Sequence, residues 1–232
     1  MNLISEKSIK VESSIGIFGG SFDPIHQGHI NIAKAAFKEL NLDKLFFMPC
    51  KDHPHNKEIM ATGHDRLEML KLGLNDHPYL KIDKRELERP GVSFTFNSLE
   101  EIRRKYGNNV KITLLIGSDI FSSLNSWYRY KEILSLTNIA IVKRFGYEDL
   151  GAIKDDYLAS LLDNSINQIV FNYGQIKILN IPKYKISSSQ LRLILKKNTM
   201  LNLNVLDDWS DLSSEYICPE VLNYITKKKL YM

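Results

Sequence analysis

Apolar residues in this chain fall into short dense runs separated by longer stretches of helical periodicity. Ser14–Phe18, Lys44–Pro49 (KLFFMP), Tyr79–Ile82, Val110–Ile116 (VKITLLI) and Asn138–Val142 (NIAIV) have the length and composition of strands buried on both faces of a sheet. Between them, Ile30, Ala33, Phe37 and Leu40 recur at helical spacing, Leu67, Leu70 and Leu74 do so within His64–Leu74, and Phe96–Tyr106 forms a third such stretch. Strands and helices thus alternate without repeats or low-complexity linkers. That order predicts an α/β fold, a doubly wound parallel sheet, whose ligands bind beyond the carboxyl ends of the strands at the topological switch point.

The chemistry concentrates where the first strand meets the first helix, in Gly19-Gly20-Ser21-Phe22-Asp23-Pro24-Ile25-His26-Gln27-Gly28-His29. The glycine pair is expected to let the backbone leave the strand through conformations a side chain forbids, and to let a ligand approach the main chain closely. The helix from Gly28 turns its unpaired N–H groups and the positive end of its dipole toward that turn, which makes an anion site. His26 and His29, three residues apart, can face one side of the opening turn and donate to phosphate oxygens, and Gly28 between them leaves room for a nucleotide. The same histidines can also be read as surface or capping residues, or as a metal pair, although neighbouring Cys, Asp or Glu ligands at useful spacing are missing.

Other strand ends carry candidates for one shared cleft. Cys50–Lys57 is a proline-broken polar loop, read either as a phosphate-binding cover or as a solvated loop. Gly117 and Asp119 follow the fourth strand, where a carboxylate can take a ribose hydroxyl or help hold a hydrated magnesium ion. Trp127 and Tyr128 are either core residues or a stacking platform for a base or pyridine. Ile186-Ser187-Ser188-Ser189-Gln190-Leu191-Arg192 opens a late helix, its serines being caps or phosphate ligands, and Arg192, one turn after Ser188, can clasp the same phosphates.

Composition narrows the classes. At 232 residues the chain suits one domain, 13–232, behind a polar N-terminal tail, 1–12. A net charge of +4 with scattered lysines does not imply nucleic-acid binding. Cys50 and Cys218 are far apart with no CxxC, which fits a reducing cytoplasm. No run is long enough to span a bilayer, and residues 1–12 do not read as a signal peptide. A homo-oligomer stays open.

GGSFDPIHQGH resembles the HxGH signature of the nucleotidyltransferases, and its FDP-x-H form is most similar to the bacterial nicotinate-nucleotide adenylyltransferases. Class I aminoacyl-tRNA synthetases share the nucleotide-binding idea but are far longer and carry a KMSKS-like loop. The resemblance covers about residues 14–231 and implies a Rossmann-like nucleotidyltransferase fold with a small C-terminal helical portion, to which Pro219–Tyr231 corresponds. It implies adenylyl transfer from ATP to nicotinate mononucleotide, giving deamido-NAD and pyrophosphate, with magnesium on the ATP phosphates.

Residue by residue, the resemblance implies catalytic roles for His26, His29 and Arg192, and ATP contacts from Gly19, Gly20, Ser21, Phe22, Gly28, Gly117, Asp119, Ile186, Ser187, Ser188 and Ser189. Ser189 stands where the ISSTxIR motif has Thr, and keeps its hydroxyl. His53-Pro54-His55-Asn56 resembles a PPHK-like segment, with Asn56 in the basic position and Lys57 next, so His55 and Lys57 are implied for the acceptor. Thr95, Trp127 and Tyr128 match the pyridine pocket: Trp127 to stack, the backbone near Tyr128 to meet the carboxylate. Phe94 replaces the usual tyrosine beside Thr95. Two alternatives remain, a pantetheine-phosphate or glycerol-phosphate nucleotidyltransferase and a non-catalytic ATP-sensing module. The stretch Asn202–Cys218 carries no assignable chemistry.

Overall fold

The computed structural model describes residues 13–51, 59–144, 150, 153–182, 184, 186–200 and 215–232. The tail 1–12 and the candidates His55 and Lys57 lie outside the described residues. In chain order the elements are β1 (Ser14–Gly20), α1 (Gln27–Glu39), β2 (Lys44–Pro49), α2 (Gly63–Leu74), β3 (Leu80–Ile82), α3 (Arg85–Glu88), α4 (Thr95–Tyr106) and β4 (Lys111–Gly117). Then follow α5 (Ser118–Phe121), a 3-10 turn (Leu124–Ser126), α6 (Tyr130–Ile133), β5 (Asn138–Val142), α7 (Asp156–Asp163), β6 (Ile176–Leu179), α8 (Ser188–Met200) and α9 (Pro219–Lys228).

All strand pairs are parallel, in the order β3-β2-β1-β4-β5-β6. The order reverses between β1 and β4, so the carboxyl ends of these two strands flank the switch point. Helices cover both faces, as the apolar runs predict. On one side α1, α2, α8 and α9 pack Ile30, Ala33, Met69, Leu70, Leu195, Val221 and Ile225 onto the sheet. On the other, α4, α5, α6 and α7 bring Phe96, Leu99, Ile102, Phe121, Ile133 and Leu158. Close packing leaves no room for a side chain at Gly16, where a Cβ would lie 2.6 Å from Leu42 Cδ1.

Two sequence expectations need correction. The turn does not use the glycines for left-handed backbone: β1 continues through Gly19 and Gly20, which pair with Met48 and Pro49 of β2, and the left-handed residue is Phe22 (φ 47°). These glycines answer a demand for space instead, since a Cβ on Gly20 would meet the Phe22 ring at 3.1 Å while one on Gly19 would meet nothing within 4 Å. The second is an unforeseen strand, β6, whose IKIL is short and carries a lysine. Lys177 is tolerated there because its Nζ donates to Asn167 O at 2.6 Å and pairs with Glu39 of α1 at 3.0 Å.

Candidate active site

At the carboxyl ends of β1 and β4 a cavity of about 450 Å³ opens between the two helical layers. Its wall includes Gly19, Gly20 and Ser21 from the turn, His26 and His29, Gly117, the serines 187–189, and Thr95, Trp127 and Tyr128. Twelve positions singled out from the sequence, scattered over 110 residues and more, therefore share one surface. A volume of this size suits a small-molecule or cofactor site.

The histidines occupy the first turn of α1 in a reciprocal cap. His26, the N-cap residue, accepts from the His29 N–H through Nδ1 at 3.4 Å, and His29 accepts from the His26 N–H through its own Nδ1 at 3.3 Å. Their rings stack with centroids 3.7 Å apart. Capping and chemistry are thus compatible: an imidazole that accepts at Nδ1 carries its proton on Nε2, so the cap fixes the tautomer that donates. Burial, reinforced by the positive charge of Arg144, lowers the His26 pKa from 6.5 to about 3, which keeps that ring neutral at physiological pH. Phe22 lies off the cavity wall and packs edge-on behind His29 at 5.1 Å, between Phe18 and Phe47. Gly28 is required by closeness, since a Cβ there would sit 2.7 Å from Ile186 Cγ2 and 3.0 Å from the His26 ring.

The serine helix is stitched to the turn. Ser187 Oγ accepts from Gln190 N at 3.2 Å as a cap, Ser188 Oγ donates to Pro24 O at 2.9 Å, and Arg192 Nη1 donates to Asp23 O at 2.7 Å. Arg192 Nη2 reaches Ser189 Oγ at 3.4 Å. Its guanidinium is 3.8 Å from the buried Asp23 carboxylate, so it faces the turn rather than the cavity wall. Asp119, in the first turn of α5, pairs with Arg144 at 2.9 Å through Oδ2, while its buried Oδ1 has no hydrogen-bond partner.

On the β2 side the wall is formed by Met48, Cys50, Glu86, Ser93, Phe94 and Thr95 with Trp127 and Tyr128. Here α4 begins with no side-chain cap at Phe94, so its first N–H groups lie beside this wall. The Tyr128 N–H makes no hydrogen bond to the described residues, and the Tyr128 ring lies 4.8 Å from Phe94.

Sequence reasoning missed several residues of this site. Asp23 is 1% exposed and accepts from Met60 N, Ala61 N and Tyr231 Oη, the last at 2.6 Å. Arg66, equally buried, donates to Ser21 O and Lys51 O and so ties the ends of β1 and β2 together. Glu86 accepts from Ser98 Oγ at 2.7 Å, and burial raises its pKa. Arg144 was passed over although it follows a strand end by two residues, the signal that drew attention to Asp119.

The profile of the cytidylyltransferase-like family matches residues 17–194. A probable nicotinate-nucleotide adenylyltransferase of Legionella pneumophila (strain Paris) is 34% identical over 221 residues, 94% of this chain and 99% of its own length. Its counterpart in Hydrogenobaculum sp. is 33% identical over 218 residues, 94% of this chain and 97% of that one. Among solved structures, Plasmodium falciparum nicotinic acid mononucleotide adenylyltransferase complexed with NaAD superposes with a TM-score of 0.67 at 24% identity, over 94% of this chain and 97% of that chain. At that identity the superposition speaks to the fold.

Proposed function

Because this chain belongs to the cytidylyltransferase-like family, and within it to the nicotinate-nucleotide adenylyltransferases, we propose that it transfers the adenylyl group of ATP to nicotinate mononucleotide, releasing pyrophosphate. In this reading residues 13–232 act as one nucleotidyltransferase domain in the cytoplasm, where Cys50 and Cys218 stay as thiols. Among the described residues no helix is long and apolar enough to cross a membrane. The observation that carries the reading is the pair of histidines whose mutual cap leaves Nε2–H as the donor on a cavity at the sheet's switch point.

The phosphate of the acceptor is ionised near neutral pH, so no general base or covalent nucleophile is required. One of its oxygens bonds to the α-phosphorus of ATP as the bond from that phosphorus to the β-phosphate bridging oxygen breaks, and the electron pair leaves with pyrophosphate. The barrier is lowered by alignment and by stabilising charge on the leaving group. His26 and His29 supply Nε2–H donors, neutral in the case of His26, and Ser187, Ser188 and Ser189 add hydroxyl and N–H groups at the start of α8. Arg192 holds Asp23 O, and with it the backbone leading into His26, and turns its remaining donors to the phosphates.

Asp119 Oδ1, buried without a partner, accepts from a ribose hydroxyl. Trp127 stacks on the pyridine, and the Tyr128 N–H, the Thr95 hydroxyl and the uncapped start of α4 receive its carboxylate. His55 and Lys57 join the acceptor side in this reading. Among the described residues no three His, Cys, Asp or Glu side chains converge on a metal site, and the phosphate end is lined by N–H, hydroxyl and guanidinium donors. This donor set fits a magnesium ion that arrives with ATP, held on the nucleotide's own oxygens, and when bound it offsets charge on the departing pyrophosphate.

The deciding experiment is pyrophosphate release from ATP with a panel of acceptors: nicotinate mononucleotide, nicotinamide mononucleotide, phosphopantetheine and glycerol 3-phosphate. Nicotinate mononucleotide is expected to be used best, and His29→Ala to lower turnover by about 10²-fold with the fold intact. Preference for any other acceptor, or no release with all four, refutes the assignment.

A further inference from the structure

ATP brings about four negative charges into this site, yet the two histidines on its wall offer neutral or shared donors and Arg192 is committed to the buried Asp23 carboxylate and carbonyl. Among the described residues that line the cavity, Arg144 is the one lysine or arginine. We propose that Arg144 is an ATP-binding residue, the guanidinium that meets the triphosphate from the side opposite the serine helix; the proposal rests on the adenylyl-transfer reading.

The geometry supports this in three ways. First, Arg144 is pre-positioned. Its backbone N donates at 2.9 Å to Ser118 Oγ, a fully buried hydroxyl at the end of β4, and its Nη1 is held at 2.9 Å by Asp119 Oδ2. Its Cδ and Nε lie 3.1 and 3.2 Å from where a Gly117 Cβ would be, so the side chain runs across the bare backbone of Gly117. Second, its charge is felt where the phosphates would lie, because it is the cation that helps depress the His26 pKa. Third, its side chain is still 44% exposed, and a guanidinium with one carboxylate partner retains donors for a second anion. Asp119 then has two tasks that do not compete: Oδ2 holds Arg144, and the partnerless Oδ1 is left for the ribose. Gly117 is bare for the same reason, since a methyl there would lie 2.2 Å from Asp119 Oδ1 and displace the pair.

The test is binding of a non-hydrolysable ATP analogue by calorimetry, without acceptor, to the parent, Arg144→Gln, Asp119→Asn and the double variant. Arg144→Gln is expected to weaken the analogue by about 10- to 100-fold, the worth of charge-assisted phosphate contacts. Its melting temperature should stay close to the parent's, because the side chain is half exposed. The loss should persist when Asp119 is already Asn, and in turnover it should appear in KM for ATP rather than KM for the acceptor. Unchanged analogue affinity, a loss that vanishes in the Asp119→Asn background, or an effect on acceptor KM alone overturns the proposal. Failure of the parent to release pyrophosphate with any acceptor overturns the adenylyl-transfer reading instead, and the calorimetry still decides whether Arg144 holds ATP.

Discussion

Replacing Gly28 by alanine adds one methyl at the tightest point between the histidine turn and the serine helix. Ordinary carbon–carbon contact lies near 3.5–4.0 Å, whereas the new Cβ would stand 2.7 Å from Ile186 Cγ2 and 3.0 Å from His26 Cε1 and Nδ1. Either the segment before α8 retreats by about 1 Å or the His26 ring turns and gives up its cap. Overpacking of this kind costs about 1–3 kcal/mol, and alanine returns up to about 1 kcal/mol in a helix. The net loss of about 0–2 kcal/mol corresponds to a melting temperature lower by no more than about 8 °C in a chain of this size. Function is hit harder. A misplacement of about 1 Å between the two phosphate-binding helix starts should reduce kcat/KM for ATP by about 10²-fold. Pyrophosphate release and a melting curve on the same preparation make the comparison. Gly19→Ala is the counterpart: its Cβ meets no protein atom within 4 Å, so stability should hold while ATP binding weakens where the nucleotide passes the bare main chain. A Gly28→Ala enzyme within about threefold of the parent in kcat/KM would refute the claim that His26 and the serine segment are held in register by contact across this glycine.

Trp127→Ala should lower kcat/KM for nicotinate and nicotinamide mononucleotide by similar factors, because stacking does not distinguish acid from amide; a collapsed ratio in steady-state assays would place specificity in the ring itself. His26 is protonated near 6.5 in the unfolded chain but only near 3 in the fold, so its contribution to stability is complete above 6.5 and is lost as pH falls toward 3. His26→Asn, which can still cap, should flatten the change in urea midpoint between pH 7 and pH 5. Cys50 lines the cavity, but burial pushes its thiol up to about 11, so mass spectrometry should find it unmodified after iodoacetamide at pH 8 in the folded protein and modified in urea.

The parts of this site that are legible in the sequence are those where local and global demands coincide. Apolar runs such as VKITLLI name buried strands, and the HxGH spacing names a helix start, because each is decided within a few residues. Phe22 in a left-handed conformation was not legible, since its cause is a ring that must reach the pocket between Phe18, Phe47 and His29. Asp23 was not legible as a hub either: its partners Met60, Ala61 and Tyr231 come from 37, 38 and 208 residues away. Lys177 hides β6 for the same reason, its charge being answered by Glu39 in α1. Nor does spacing alone choose between capping and phosphate-binding histidines, whereas the geometry gives one nitrogen of each ring to the cap.

The hydrogen bond from Tyr231 to Asp23 also bears on when the enzyme becomes competent during synthesis. Asp23 leads into His26, yet one of its partners is a tyrosine 208 positions further on, so the histidine turn cannot reach its final packing while most of the chain is still unmade. A growing polypeptide that has already emitted β1, α1 and β4 would hold the apolar parts of the cleft without the last oxygen-to-oxygen clasp, and closing so long a loop comes late on loop-entropy grounds. Appearance of activity in a synchronised translation should therefore lag behind the emergence of α8 and coincide with release of the segment that follows α9.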